Sequence, residues 1–272
     1  MSGLRVTIIG AGKVGTYLAK RFHENHYIIN MVISKSKVSA LALSKEVCAD
    51  CSTSIKDIPK NSNIIIISVP DPAIESVADE ISNLGLNFKK MMVFHVSGTL
   101  SYSILGNIKK RGATTFSIHP YQTFASKELS ANMTYKVFYG IEGNKSAIEQ
   151  AKRIVRSIKS KSIVVPTNKK IIYHSSAVMM SNFLLALLSS ADELLSRVEK
   201  NKKLRHEFMV HLSLESYKNY FENGFEKSIT GPAVRRDTKT IKKHIVALKN
   251  KDVQLKELYK IFTDIIISRT QK

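Results

Sequence analysis

Short apolar runs bounded by turn residues alternate with stretches of helical spacing through the first 165 residues, and from Asn168 onward only helical spacing remains. Leu4 to Ile9 reads as a strand, and Thr16 to Phe22 has apolar positions at helical intervals. Tyr27 to Ile33 is a second strand and Ser39 to Val47 a short helix. Asn63 to Pro70 is apolar on both faces, as a parallel strand covered by helices on each side must be, and Met91 to Val96 and Thr114 to Ile118 follow as further buried strands. Tyr135 to Glu142 adds a strand, Lys145 to Ser160 a helix and Ser162 to Val165 a closing strand. This pattern predicts an α/β Rossmann domain over residues 1–165, doubly wound around a mainly parallel sheet.

Residues 166–272 predict an all-α domain. Ile171 to Arg197 is apolar nearly all round, the pattern of a helix buried inside a bundle or a dimer. Leu204 to Phe221, Asp237 to Lys249 and Asp252 to Ser268 supply the remaining helices, with Gly224 and Thr230-Gly231-Pro232 as breaks.

Between the first strand and its helix stands Gly10-Ala11-Gly12-Lys13-Val14-Gly15, a G-x-G-x-x-G turn. Gly10 permits the tight turn, Gly12 lets the backbone approach a pyrophosphate, and Gly15 lets the helix pack closely on the strand. The helix N-terminus then offers free N–H groups to the anion. The second strand ends Val32-Ile33 and continues Ser34-Lys35-Ser36-Lys37, with no acid to hold a ribose 2′-hydroxyl. The expected cofactor is therefore NADP(H), its 2′-phosphate held by Ser34, Lys35 and Ser36. Lys13 and Val14 open the helix. Val69 and Pro70, and then His95, Ser97 and Gly98, end strands at the carboxyl edge of the sheet, where ligands bind in open α/β folds, and complete the expected cofactor contacts. Asp71-Pro72 fits the N-cap and first position of a helix.

The chain has 42 Lys and Arg against 22 Asp and Glu, a net charge of +20. The excess is spread evenly, with 22 basic and 11 acidic side chains in residues 1–165 and 20 and 11 in residues 166–272. There is no basic tail, and none of the short lysine clusters is interleaved with aromatic residues, so the charge reads as a solvated surface and no specific nucleic-acid partner is expected. No signal-peptide pattern opens the chain, and no apolar run approaches the roughly 18 residues of a membrane span, so a cytoplasmic protein without a membrane partner is expected. Cys48 and Cys51 form C-x-x-C, but zinc would need two more ligands, so they read as free thiols and no metal site is expected.

Three groups could carry chemistry. His119 and His95 lie at strand ends, His119 in His119-Pro120-Tyr121, and His119 is the first candidate for proton transfer. The long helix carries His174, Ser181 and Asn182 within an arc of roughly 100° on an otherwise apolar surface. Arg235, after Thr230-Gly231-Pro232, offers a fork suited to a carboxylate, while Asp237 fits the N-cap of the helix it starts.

Taken in order, the glycine turn, Ser68-Val69-Pro70-Asp71, His95-Val96-Ser97-Gly98, Ser117-Ile118-His119-Pro120, Tyr173-His174 with Ser181-Asn182-Phe183, and Thr230-Gly231-Pro232 with Arg235 and Asp237 resemble a family. It is the Rossmann-like oxidoreductases that carry a C-terminal helical domain of formally unknown function. They sit in the wider 6-phosphogluconate dehydrogenase-like group, with pyrroline-5-carboxylate reductase, prephenate dehydrogenase and ketopantoate reductase. The resemblance implies a 6-phosphogluconate dehydrogenase C-terminal-like helical domain that forms homodimers. It also implies a cleft between the domains, lined by Ser97, Gly98, His119, His174, Asn182 and Arg235. Some members resemble an alternative ketopantoate reductase, which implies reduction of 2-dehydropantoate or a similar small 2-oxo acid. In that reaction NADPH gives the hydride, His119 or His174 the proton, Asn182 orients the carbonyl and Arg235 holds the carboxylate. An imine reductase of a cyclic imino acid and a non-catalytic NADP(H) sensor are the alternatives. Two departures stand out: Arg236 replaces the glycine of the family's R-G-D, and no lysine occupies the catalytic long-helix position of related hydroxyacid dehydrogenases.

Overall fold

The computed structural model describes residues 3–126, 137–248 and 253–270, and the chain divides into two compact units, Met1–Ser181 and Asn182–Lys272. The first unit follows the predicted alternation. It runs β1 (Arg5–Ile9), α1 (Lys13–Glu24), β2 (Ile28–Ile33), α2 (Lys37–Glu46), β3 (Asp50–Ser52), β4 (Ile64–Ile67), α3 (Ile74–Ser82) and β5 (Met92–His95). It continues through α4 (Gly106–Lys110), β6 (Thr114–Pro120), β7 (Phe138–Gly143), α5 (Lys145–Ser157), β8 (Lys161–Val164) and α6 (Lys170–Val178). The short β3 and α4 have too few residues for periodicity to announce them. Tyr135 and Lys136, expected to open a strand, lie outside the described residues.

The eight strands pair in the order β3-β2-β1-β4-β5-β6-β7-β8, and every neighbouring pair is parallel except β6 and β7. Ile64 and Ile66 face one apolar layer with Val6, Ile8 and Phe94, and Ile65 and Ile67 face the other with Ile9, Val93 and Ile74. Both layers are closed to water, which is why β4 is isoleucine throughout. Burying four such side chains on a strand is worth about 1.5–3 kcal/mol each before entropy is counted. Strand order turns outward in both directions from β1 and β4, so their carboxyl ends form the crevice in which this class of sheet binds ligands.

The first unit extends to Ser181, past the 165/166 boundary read from texture, because α6 packs on the sheet. A π-helical turn, Met179–Phe183, follows α6 and carries the unit boundary. Its wider turn breaks the 100° spacing, so the arc drawn for His174, Ser181 and Asn182 on an ideal helix does not hold. Ser181 donates instead to the Ala177 carbonyl at 2.7 Å. Helix runs unbroken from Thr167 to Leu195, 29 residues, long and apolar enough by length and composition to cross a membrane. This corrects the expectation of no such segment, which rested on uninterrupted apolar runs that His174, Asn182 and the serines break up.

The second unit contains α7 (Leu184–Leu195), α8 (Lys202–Asn223), α9 (Phe225–Ser228), α10 (Thr238–Ala247) and α11 (Val253–Arg269). Asp192 accepts from Arg205 Nε at 2.8 Å and ties α7 to α8. Within the single chain the long helix expected to lie inside a bundle or a dimer is not covered: Ile171, Ile172, Met179, Phe183 and Leu185 are all exposed, which leaves of the two alternatives the dimer.

Candidate active site

Gly10 has φ +105°, and a Cβ there would stand 2.5 Å from the Ser68 carbonyl oxygen. A Cβ on Gly15 would overlap the Gly10 carbonyl oxygen, and Ser68 Oγ already donates to that oxygen at 2.8 Å. These two glycines let β1, β4 and α1 come together. At Gly12 a Cβ would meet nothing within 4 Å, and Gly12 is the N-cap of α1 with no side chain capping it and no acid in the first turn. The space, the free N–H groups and the helix dipole fit the pyrophosphate of a dinucleotide. A cleft of about 530 Å³ opens from this turn, lined by Gly10, Ala11, Gly12, Ser34, Lys35 and Thr53 together with Ser54, Val69 and Pro70.

Pro70 leads from that cleft into a polar cluster. Asp71 Oδ2 accepts from Ser97 Oγ at 2.7 Å and from Thr99 Oγ1 at 2.6 Å, and Ser97 Oγ accepts from the Thr99 and Leu100 N–H groups. Asp71 therefore clamps the turn around Gly98 and caps no helix, because the residues after it form a 3-10 turn with Pro70 in the cap position. Gly98 lies beneath two imidazoles: a Cβ there would fall on His174 Cδ2 and 2.7 Å from His119 Nε2. The two rings stand edge to face, centroids 5.6 Å apart.

The sheet and α6 meet through matched periodicities. Ser117 and His119 share one face of β6; opposite them, in register, Glu142 and Gly140 share the same face of β7. Lys170, Tyr173 and His174 are spaced i, i+3, i+4 on α6 and so share a face of the helix. Lys170 Nζ donates to Ser117 Oγ at 2.7 Å and to Glu142 Oε2 at 2.8 Å, and Tyr173 packs on Gly140 with its hydroxyl 2.9 Å from His119 Nδ1. Lys170 and Glu142 are 3% and 2% exposed. Burial works against ionising Glu142, but the hydrogen bond and charge of Lys170 outweigh it and hold the carboxyl below its usual range; burial draws the Lys170 ammonium down. Ser101 Oγ, Ser117 Oγ and the Tyr102 N–H also donate to the carboxylate, and Thr167 hydrogen-bonds it as well. Burial, with the neighbouring His174 and Lys170, lowers His119 to about 4, and burial raises the Tyr173 phenol well above its ordinary value. Near neutral pH both are uncharged.

Of the expected cofactor contacts, Gly10, Gly12, Ser34, Lys35, Val69 and Pro70 line the cleft, and Gly15 packs beneath the turn. Lys13 and Val14 lie on α1 away from its lining. Ser36 caps α2, accepting from the Ser39 N–H, and is also outside it. His95 is fully buried: Nδ1 accepts from the Ser97 N–H at 3.2 Å and Nε2 lies 3.3 Å from the Ser101 carbonyl. It ties the 95–101 loop, and Ser97 is spent on Asp71. His119, His174 and Gly98 come together as described, whereas Asn182 and Arg235 belong to the second unit. Asp237 does cap α10, through the Thr240 N–H and hydroxyl. Arg236 has φ +54°, the left-handed conformation glycine adopts freely, so the turn keeps its shape with an arginine in it. The sequence reading missed Lys170, Glu142 and Tyr173 as a group, and Thr53 and Ser54 in the cleft. An acid on the inward face of a buried strand was the one available signal, at Glu142.

Residues 1–120 match the Rossmann-like domain family, and residues 137–266 match the domain of unknown function DUF2520. No curated protein matches the sequence. A Bacteroides fragilis protein proposed to be an NADP oxidoreductase is 24% identical with a TM-score of 0.79, covering 98% of this chain and 99% of its own. Thermotoga maritima protein TM1727 is 26% identical with a TM-score of 0.70, over 98% of this chain and 100% of its own. The fold is shared more distantly with a pyrroline-5-carboxylate reductase of Streptococcus pyogenes, 13% identical with a TM-score of 0.65 over 98% of both chains. With a glycine turn that fits a dinucleotide and two family matches in series, the chain is a Rossmann-like domain followed by a DUF2520 domain, and over its whole length it is similar in fold to these proteins.

Proposed function

We propose that this protein is an NADPH-dependent reductase of a small carbonyl compound bearing a carboxylate, working as a homodimer through its second unit. The observation that carries the reading is one continuous edge of the sheet. There the anion-ready Gly10–Gly15 turn and its cleft pass through Pro70 and Asp71 directly into the Gly98, His119 and His174 cluster. The cleft would hold NADP(H) with the pyrophosphate at Gly12 and the 2′-phosphate near Ser34 and Lys35, where Thr53 and Ser54 add hydroxyls. The cofactor supplies a hydride when bound. The protein's own work is to clamp Gly98 through Asp71, to hold His119 and His174 against the reacting oxygen, and to present a proton there. On the resemblance of the motifs, Asn182 would orient the carbonyl and Arg235 would hold the carboxylate.

Ketopantoate is the first substrate to test, on the resemblance of the six motifs. A cyclic imine is the second reading, favoured by fold neighbours that include pyrroline-5-carboxylate reductases and an imine reductase of Myxococcus stipitatus in complex with NADP+. Loss of reduced-nicotinamide absorbance with purified protein and ketopantoate, other branched 2-oxo acids or pyrroline-5-carboxylate tests both. Turnover of an oxo acid supports the first reading and of an imine alone the second. NADPH binding without turnover of either class leaves a non-catalytic cofactor-binding protein. Lys35→Ala should weaken NADPH binding about tenfold and leave NADH unchanged, since a lost charged contact to phosphate is worth about 1.5 kcal/mol at a solvent-facing position.

A further inference from the structure

We infer that Tyr173 locks His119 as a neutral imidazole protonated on Nε2, so that His119 offers a hydrogen bond at the site and is not the source of the proton. The inference rests on the reductase reading for its catalytic meaning, but its structural content stands apart from it.

The argument is a count of donors and acceptors. Tyr173 has one proton to give and His119, when neutral, has one N–H. Their contact, Tyr173 Oη to His119 Nδ1 at 2.9 Å, uses one of these protons. If the imidazole donated, the phenol proton would need a second acceptor, and among the described residues none stands within hydrogen-bond distance of it. If the phenol donates, its oxygen is left as an acceptor, and the backbone of Gly140, on which the ring lies, favours negative charge on that oxygen. The second arrangement satisfies the phenol, which donates to Nδ1 and keeps its oxygen toward the Gly140 backbone, and leaves the one remaining proton to the imidazole. It places the imidazole proton on Nε2, which has no partner among the described residues and faces Gly98 and His174.

The surroundings hold this arrangement in place. Gly140 is the residue paired with His119 across β6 and β7, and a side chain there would strike the Tyr173 ring, 2.5 Å from both Cζ and the hydroxyl. Lys170, one turn before Tyr173, is pinned to Ser117 and Glu142, so the helix face cannot slide along the sheet. The groups around His119 are thus Tyr173, His174, Lys170, Asp71 and His95; burial, His174, Lys170 and His95 oppose an imidazolium, and the Asp71 carboxylate, which favours one, does not offset them.

A uniformly ¹⁵N-histidine-labelled sample of the full chain tests this, with His119 assigned by comparison with His119→Gln. Long-range proton–nitrogen spectra between pH 5.5 and 8 should show His119 neutral throughout, with a protonated Nε2 and a bare Nδ1. Tyr173→Phe keeps the ring against Gly140 and removes only the hydroxyl; it should shift His119 toward a mixture of tautomers. If the protein turns over a substrate, Tyr173→Phe should lower kcat about tenfold with a smaller change in KM, the scale of one lost hydrogen bond. A protonated Nδ1, or an imidazolium at pH 6.5 in the unmodified protein, overturns the inference whatever the activity assay shows. The Nε2 tautomer in a protein that reduces none of the substrates would sustain it and remove the reductase reading instead. Should Tyr173→Phe fail to fold, the spectra of the unmodified protein decide alone.

Discussion

At Gly98 a single methyl group would fall on one histidine ring and 2.7 Å from the other. The backbone there needs no positive φ, so the strain of Gly98→Ala would go into the rings, not the turn. We expect stability to drop by about 1–3 kcal/mol, the usual cost of overpacking, and turnover to fall about a hundredfold because the imidazoles must move by the order of an ångström. Thermal unfolding and kcat measured on the same sample check this; unchanged turnover would mean the rings do not meet the substrate. His95 belongs to the same scale but a different role. It is fully buried with both ring nitrogens engaged, and burial lowers it to about 4 from an ordinary 6.5. The unfolded chain therefore binds a proton between those values that the folded chain refuses. Stability is full above pH 6.5 and is lost as pH falls toward 4, by up to about 3 kcal/mol for this residue. Denaturant midpoints across pH 4–7 should decline on the acid side, and His95→Gln should flatten that slope. From the sequence, His95 and His119 look alike, each ending a strand with a small polar residue near. What separates them is which way the next loop folds back, and that depends on Asp71, a residue whose Pro neighbour suggests only a helix cap.

Strands and glycine turns were legible because their signals are local: a run of isoleucines must be buried on both faces, and G-x-G-x-x-G works only between a strand and a helix. The fit of α6 on β6 and β7 was not, because it couples a period of two on two strands to a helical period of 3.6, across 28 residues from Glu142 to Lys170. Lys170 lies in Asn168-Lys169-Lys170, which in a chain of net charge +20 reads as solvated surface. The π-helical turn after α6 has no residue pattern that announces it. The buried pair makes a prediction for this element. Lys170→Ala leaves a carboxylate 2% exposed without its cation, which should cost about 3–5 kcal/mol, whereas Lys170→Met with Glu142→Leu should cost far less because both charges leave together. Urea unfolding of Lys170→Met, Glu142→Leu and the double gives the coupling directly. A Lys170→Ala cost below about 1 kcal/mol would show that α6 is held to the sheet by something else.

Taken as a whole molecule, the two units solve the problem of burial very differently. The sheet unit closes two apolar layers, but in residues 182–272 only Arg205, Ala233, Leu248 and Thr263 are buried among the described residues. Meanwhile Phe208, Leu212, Leu214, Tyr217 and Phe221 on α8 are exposed, Leu212 to 71% and Phe208 to 65%. A set of helices with so little interior does not stand alone in water, since apolar burial is what offsets the entropy of ordering a chain. Lipid is a poor cover for α8, which carries Lys203, Arg205, Glu207, Glu215, Lys218 and Glu222 among its apolar residues, each costly in a bilayer. A protein surface that alternates in the same way is a better one, and a second copy of this unit offers it by symmetry. The purified protein should therefore sediment at twice the mass of the chain without detergent, with an unfolding midpoint that rises with concentration. Phe208→Glu with Leu212→Glu should shift it toward monomer and lower that midpoint. A stable monomer at micromolar concentration, or a protein that dissolves only in detergent, would count against the dimer, the latter pointing to the 29-residue apolar helix as a membrane segment.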